Sequence, residues 1–249
     1  MKLVKICGLK TTDGCVEALE AGADLLGMIM VPGRARTVEM DVARDIVRLV
    51  KAKRSRNQTR FQTVPELLGF IMESQFEDFN EFSQVWSDLV RENGPFIVGV
   101  FRNQPLEQVF AIATDLELDF IQLHGSEDKV LFFNANSELK FGIIPRYVVP
   151  KDVDLMKQHF QQVHELHGFA LPLLDSEAGG EGKVIDWSVL QQLEFGNFIL
   201  AGGLTPTNLH ETKDLPNLVG YDVSGGVEDD DGNKDCGKIR LFVAIGKSL

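Results

Sequence analysis

Short apolar runs recur along the chain, separated by stretches in which apolar and polar positions follow helical spacing. In order the runs read "KLVKIC", "ADLLGMIM", "FIVGVF", "LDFIQLH", "KFGIIPR", "FALPLLD", "NFILAGG" and "LVGYDVSGG". Between most of them lie segments such as "TTDGCVEALEAGA", "TVEMDVARDIVRLVKA" and "TPTNLHETKD", whose periodicity and start signals predict helices. In the last of these, Thr205 and Pro206 offer an N-cap and first-turn pair. Strand alternating with helix implies parallel pairing, since a parallel neighbour needs a crossover of about a dozen residues. The runs are apolar almost throughout rather than alternating, as expected when both faces of a sheet are covered. Eight such units within residues 1–249 favour one single-domain α/β fold, a closed (β/α)8 barrel, over an open doubly wound sheet.

One stretch breaks the period. Residues 53–95, between the second helix and the third strand, begin with the basic "KRSRNQTR" and continue through "ELLGFIM" to "FEDFNEFSQVWSDLV". Phe76, Phe79, Phe82, Val85, Trp86 and Leu89 fall on one helical stripe, which predicts an amphipathic helix. Two readings stand: the stripe packs on its own barrel, or it offers a surface to a partner. A helix-to-strand connection lies at the bottom of a barrel, so this insertion is expected to bear on stability or association and not on chemistry.

Barrel geometry places functional groups at the carboxyl ends of strands and in the loops that follow. Those positions here hold Cys7, His124, Arg146, Asp175, Gly202 with Gly203, and Ser224 with Gly225 and Gly226. Two glycine pairs in the loops after strands seven and eight suit phosphate, because glycine lets backbone N–H groups approach an anion closely. Barrels often hold phosphate with these same loops. Asp175 is either a proton donor at the rim or a loop-fixing carboxylate. Cys7 is either a small buried hydrophobe or a reactive thiol, and an ordinary thiol is only about 3% ionised at neutral pH. Lys5 shares its strand face; pointing inward it would lower the thiol's pKa or pair with Asp222 on the eighth strand. Arg36, in "VPGRAR", suits a carboxylate or stands as a solvated loop charge. His124 either touches substrate or fixes a loop. His159, His164 and His167 fall on an outer helix at spacings that form no zinc motif.

A formal net charge of −12 leaves no basic field for nucleic acid, so an anionic ligand must be held by local donors. No apolar stretch reaches the length of a membrane helix, and no targeting segment is read, so neither nucleic acid nor membrane is expected as a partner. The three cysteines are too few and too irregular for a disulfide framework or zinc site, which fits a reducing cytoplasm. "GGEGKV", at 179–184, lacks the pattern of a nucleotide-binding loop, and no G-x-G-x-x-G follows a strand. The expectation is metal-free, cofactor-free proton transfer on a small phosphorylated molecule.

The segments "KICGL", "GADLLGMIMVPGRARTV", "VGVFRNQP", "IQLHG", "LLDSEAGGEGKVIDW", "LAGGLTPTN" and "GYDVSGGVE" together resemble the phosphoribosylanthranilate isomerase family of tryptophan biosynthesis. They stand in family order and span nearly the whole chain outside 53–95. The resemblance implies a (β/α)8 barrel and an Amadori rearrangement of N-(5-phosphoribosyl)anthranilate to 1-(2-carboxyphenylamino)-1-deoxyribulose 5-phosphate. It implies Cys7 as general base and Asp175 as general acid, with Arg36 on the anthranilate carboxylate. His124 is a further candidate substrate contact, and the phosphate falls to Gly202, Gly203, Ser224, Gly225 and Gly226. Two features depart from the family pattern: the 53–95 insertion, and Gly225 where many members carry a second serine. The insertion leaves monomer and homodimer both open, the monomer being the first expectation. Two rival readings are an indole-glycerol-phosphate synthase, which relies on lysine and glutamate at the strand ends, and a noncatalytic barrel binding a phosphorylated metabolite or a protein.

Overall fold

In the computed structural model the eight runs form eight parallel strands: β1 (Leu3–Ile6), β2 (Leu25–Ile29), β3 (Phe96–Phe101), β4 (Phe120–Leu123), β5 (Gly142–Val148), β6 (Leu173–Asp175), β7 (Phe198–Leu200) and β8 (Leu218–Val223). They are hydrogen-bonded in sequence order and β8 closes on β1, so the barrel is complete. The structure describes residues 1–176, 187–191, 193 and 196–249. The "GGEGKV" stretch, and all but the first two residues of "DSEAGGEGKVID", lie outside the described residues. Among the described residues no helix is long and apolar enough to cross a membrane.

Outer helices follow the predicted period, and their starts are set by side-chain caps. Thr11 accepts from the Gly14 N–H to open α1 (Thr12–Ala21), and Asp235 does the same with the Lys238 N–H for the last helix, Cys236–Ser248. The second helix, α2 (Met40–Arg56), starts three residues later than Thr37 and runs on through the basic "KRSR". Its late turn is anchored: Arg54 is buried on Asp119 at 2.6 and 3.0 Å, and Asp119 also accepts from the Ile97 N–H at the foot of β3. Asp24 plays the matching part before β2, accepting from the Val4 N–H and pairing with Lys247. These buried carboxylates fix the strand register at the amino-terminal end of the barrel.

Two helices lie between α2 and β3: α3 (Val64–Glu73), opened by a Thr63–Glu66 capping box, and α4 (Phe79–Asn93), capped by Asp78. The stripe on α4 turns inward. Phe79 stacks on Phe160 with ring centroids 3.6 Å apart, Phe82 packs against Phe169, and Trp86 meets Phe120 edge-on. Asn80 accepts from the Gly196 N–H at 2.6 Å. Phe120, Phe169 and Gly196 stand at or just before the starts of β4, β6 and β7, so α4 lies under the amino-terminal end of the barrel. Of the two readings of the stripe, packing on its own barrel is the one realised. Phe76 is a correction: it precedes the Asp78 cap, outside the helix, and packs edge-on against Phe82.

The helix expected from "TPTNLHETKD" is also corrected. Only a 3-10 turn forms there, Leu209–Thr212. Asn208 turns back on the loop, accepting from the Thr205 N–H at 2.8 Å and donating to the Gly203 carbonyl at 2.9 Å. Thr205 Oγ1 still accepts from the Asn208 N–H, but at 3.3 Å and within this side-chain-closed turn. Local side-chain bonds of this kind compete with the helical ladder.

Candidate active site

A cavity of about 670 Å³ opens at the carboxyl-terminal end of the barrel. Cys7, directly after β1, forms part of its floor. Parallel register sets Lys5 of β1 opposite Asp222 of β8, and the Lys5 ammonium donates to Asp222 Oδ1 at 2.8 Å, with the Cys7 thiol beside it. Of the two roles open to an inward lysine, pairing with Asp222 is realised, with the thiol alongside. Burial works against charging Lys5, but the Asp222 carboxylate and Cys7 outweigh it and hold the ammonium above the ordinary lysine range. The Cys7 thiol is pushed up, chiefly by burial; Lys5 pulls it down and Asp222 opposes that pull. Gly27 of β2 makes the room: a Cβ there would sit 2.8 Å from the Cys7 sulfur and 3.1 Å from Lys5 Nζ.

Across the cavity Asp175 ends β6 almost fully buried. Arg146 Nε donates to its Oδ2 at 3.0 Å and the Ser176 N–H to its Oδ1 at 2.8 Å. Burial raises the carboxyl above the usual carboxylate range despite the guanidinium that stabilises its anion. His124 Nε2 lies 3.8 Å from Oδ2, and Gln122 Nε2 is 3.3 Å from His124 Nδ1. Burial, reinforced by the Arg146 charge, pushes His124 down to about 3, so the ring is neutral at physiological pH. Its contact with Asp175 is therefore polar and not an ion pair, with Nε2 carrying the proton when Nδ1 accepts from Gln122.

Arg36 reaches from the loop after β2 to Glu228, donating from Nε at 2.7 Å and Nη2 at 2.8 Å. Lys234 closes the same network, donating to Glu228 and to the Ser224 carbonyl. Burial would raise Glu228, but the hydrogen bonds from Arg36 and Lys234 prevail and hold it below the usual range. The loops after β7 and β8 touch backbone to backbone; a Cβ at Gly226 would fall 1.8 Å from the Leu204 carbonyl oxygen. Among the described residues no acceptor is paired with the amide N–H groups of Gly202, Gly203, Gly225 or Gly226. That leaves four donors beside a cavity.

Of the strand-end and loop residues picked out from the sequence, Cys7, Arg36, His124, Asp175, Gly202, Gly203, Ser224, Gly225 and Gly226 line this cavity, and Arg146 does not. Arg34, Arg102 and Gln122 also line it and had not been named. Gln122 carried a signal, lying two positions before His124 and hence on the same strand face. Glu228 and Lys234 carried none, since they meet Arg36 only through the fold. His159 lies away from the cavity, hydrogen-bonded to the Tyr147 hydroxyl at 2.7 Å.

The family model for N-(5'-phosphoribosyl)anthranilate isomerase matches residues 60–245. The chain belongs to the phosphoribosylanthranilate isomerase family. A Candida albicans isomerase of that name is 49% identical over 246 residues, covering 99% of this chain and 98% of the relative, so the shared length includes 53–95. A Thermotoga maritima phosphoribosylanthranilate isomerase superposes with a TM-score of 0.71 at 25% identity over all of both chains. Another isomerase structure, TM-score 0.68 and 25% identical over all of both chains, is a complex with reduced 1-(o-carboxyphenylamino)-1-deoxyribulose 5-phosphate. This phosphoribosylanthranilate isomerase family member is an enzyme of tryptophan biosynthesis, and the noncatalytic and indole-glycerol-phosphate synthase readings give way to it.

Proposed function

We propose that the cavity converts N-(5-phosphoribosyl)anthranilate to 1-(2-carboxyphenylamino)-1-deoxyribulose 5-phosphate with Asp175 as acid and Cys7 as base. The observation that carries this reading is the placement of a buried carboxyl and a buried thiol in one cavity that also holds two donor-rich glycine loops. Asp175 gives its proton to the furanose ring oxygen. The C1–O bond breaks as the anilino nitrogen lone pair forms C1=N, leaving a protonated Schiff base. That cation acidifies the C2 hydrogen, which the Cys7 thiolate removes, and the electrons flow to an enolamine. Proton return to C1 and loss of the hydroxyl proton at C2 give the ketone. No redox partner is consumed, because the oxidation at C2 balances the reduction at C1.

The phosphate is assigned to the N–H groups of Gly202, Gly203, Gly225 and Gly226 with the Ser224 hydroxyl, and the anthranilate carboxylate to Arg36. Arg36 reaches the carboxylate through its remaining Nη1 donors while Glu228 keeps the guanidinium in place. His124, neutral, offers an N–H and no charge. The apolar stripe of α4 is turned onto its own barrel, which supports a monomer as the working unit. Free Cys7, Cys15 and Cys236 suit a reducing cytoplasm.

The test is a fluorescence assay with freshly prepared phosphoribosylanthranilate. Cys7→Ala and Asp175→Asn are each expected to lower kcat by about 100-fold or more while thermal unfolding stays cooperative. Parental turnover in either folded variant removes that residue from the assigned chemistry.

A further inference from the structure

The Asp175 carboxyl has a partner that does not line the cavity. Arg146 lies within β5 just short of its carboxyl end, is buried, and contributes nothing to the cavity wall. Its guanidinium nevertheless fastens three pieces of the site. Nε donates to Asp175 Oδ2 at 3.0 Å, Nη1 to the His124 carbonyl at 3.2 Å, and Nη2 to the Ser176 carbonyl at 2.6 Å. The ends of β4 and β6 are thereby tied to β5 through one rigid planar group.

A fixed cation beside a group that must donate a proton looks counterproductive, since it favours the anion before the reaction starts. The balance changes when the anion is followed through the step. A buried acid that gives up its proton leaves a carboxylate in a site from which water is excluded, and an uncompensated charge there is strongly disfavoured. The other groups facing Asp175 supply little of the compensation: the Ser176 N–H gives Oδ1 one neutral hydrogen bond, His124 after β4 is neutral, and Asp222 on β8 works against the anion. Arg146 alone among these brings positive charge, at hydrogen-bond distance and in fixed orientation.

We propose that Arg146 is a positioning residue for the proton-donating step, orienting the Asp175 carboxyl and stabilising the carboxylate left behind when its proton passes to the ring oxygen. This rests on the assignment of Asp175 as the acid. A hydrogen bond to an ion is worth more than a neutral one, and its loss at the moment of charge development lowers kcat and not affinity.

Arg146→Gln and Arg146→Lys test it, with thermal unfolding to establish that each is folded. For Arg146→Gln kcat is expected to fall about 10- to 100-fold with KM nearly unchanged. Affinity for reduced 1-(o-carboxyphenylamino)-1-deoxyribulose 5-phosphate, measured by calorimetry, should stay within about 3-fold of the parent. The carboxyl, relieved of the adjacent cation, should move the limb of the pH profile that it governs upward by about one unit or more. Arg146→Lys keeps the charge but cannot span both carbonyls, so its limb should stay near the parental position while kcat recovers only in part. Parental kcat in folded Arg146→Gln overturns the proposal, as does a loss of analogue affinity in proportion to the loss of kcat/KM, which would make Arg146 a binding residue. Should the glutamine variant not fold, the lysine variant decides: reduced kcat with parental analogue affinity supports positioning, and parental kcat rejects it. Asp175→Asn separates the two layers. If it is inactive while Arg146→Gln is unaffected, only the positioning role fails; if it is active, the acid assignment itself is gone.

Discussion

At the scale of single residues, burial raises both groups assigned to proton transfer, with opposite consequences. A raised carboxyl holds the proton that an acid must give, whereas a raised thiol resists the ionisation that a base needs. With both groups protonated the base is missing and with both ionised the acid is missing, so kcat/KM falls on the acid side and on the alkaline side. Lys5 sits beside the sulfur and lowers its pKa, so folded Lys5→Met should move the limb that Cys7 governs to higher pH and lower kcat/KM near neutral pH, leaving the other limb in place. A pH–rate series on the variant checks this, and two unmoved limbs would remove Lys5 from the tuning of the base.

At the scale of elements, α4 lies against the amino-terminal end of the barrel, remote from the cavity at the other end. Trp86 is fully buried on it, and Phe79 and Phe82 close over Phe160 and Phe169. Trp86→Ala is expected to cost about 3–5 kcal/mol of stability, measured by denaturant titration, with kcat/KM within about 2-fold of the parent below the transition. A large kinetic defect in the folded variant would mean that this layer reaches the chemistry. Strands and most helices were legible because their burial is periodic and local: "FIVGVF" and "MDVARDIVRLV" each announce which faces are covered. The "TPTNLHETKD" segment was not, since Asn208 bonds back to Gly203 and Thr205, a choice the helical spacing does not reveal. Cys7, His124 and Asp175 could be picked out because barrel architecture gives strand ends a meaning. Arg36 was legible as a rim arginine but not as half of a pair, because Glu228 is 192 positions away and the two meet only when the loops after β2 and β8 come together. Arg146 was visible at a strand end, and only the geometry of its three contacts gives it work.

At the scale of the whole molecule, a chain of formal net charge −12 must draw in a ligand that carries both a phosphate and a carboxylate. Two fields compete. The distributed acidic surface repels the ligand, but its charges act through solvent and are largely screened beyond about 8 Å at physiological ionic strength. The cavity mouth holds Arg34, Arg36 and Arg102, of which Arg36 shares the Glu228 carboxylate with Lys234. Arg34 and Arg102 line the opening with no ion pair among the described residues, so their charge is available to an approaching anion. Because they act at short range and within a concave wall, their attraction outweighs the diffuse repulsion near the site. Raising salt then weakens the attractive field more than it relieves the repulsive one. We expect kcat/KM to fall several-fold between about 0.05 and 0.5 M monovalent salt, with kcat little changed. Arg102→Gln should lower kcat/KM at low salt and flatten the dependence. Stopped-flow or steady-state assays across the series check both, and a kcat/KM that rises with salt would show instead that the global negative field governs substrate capture.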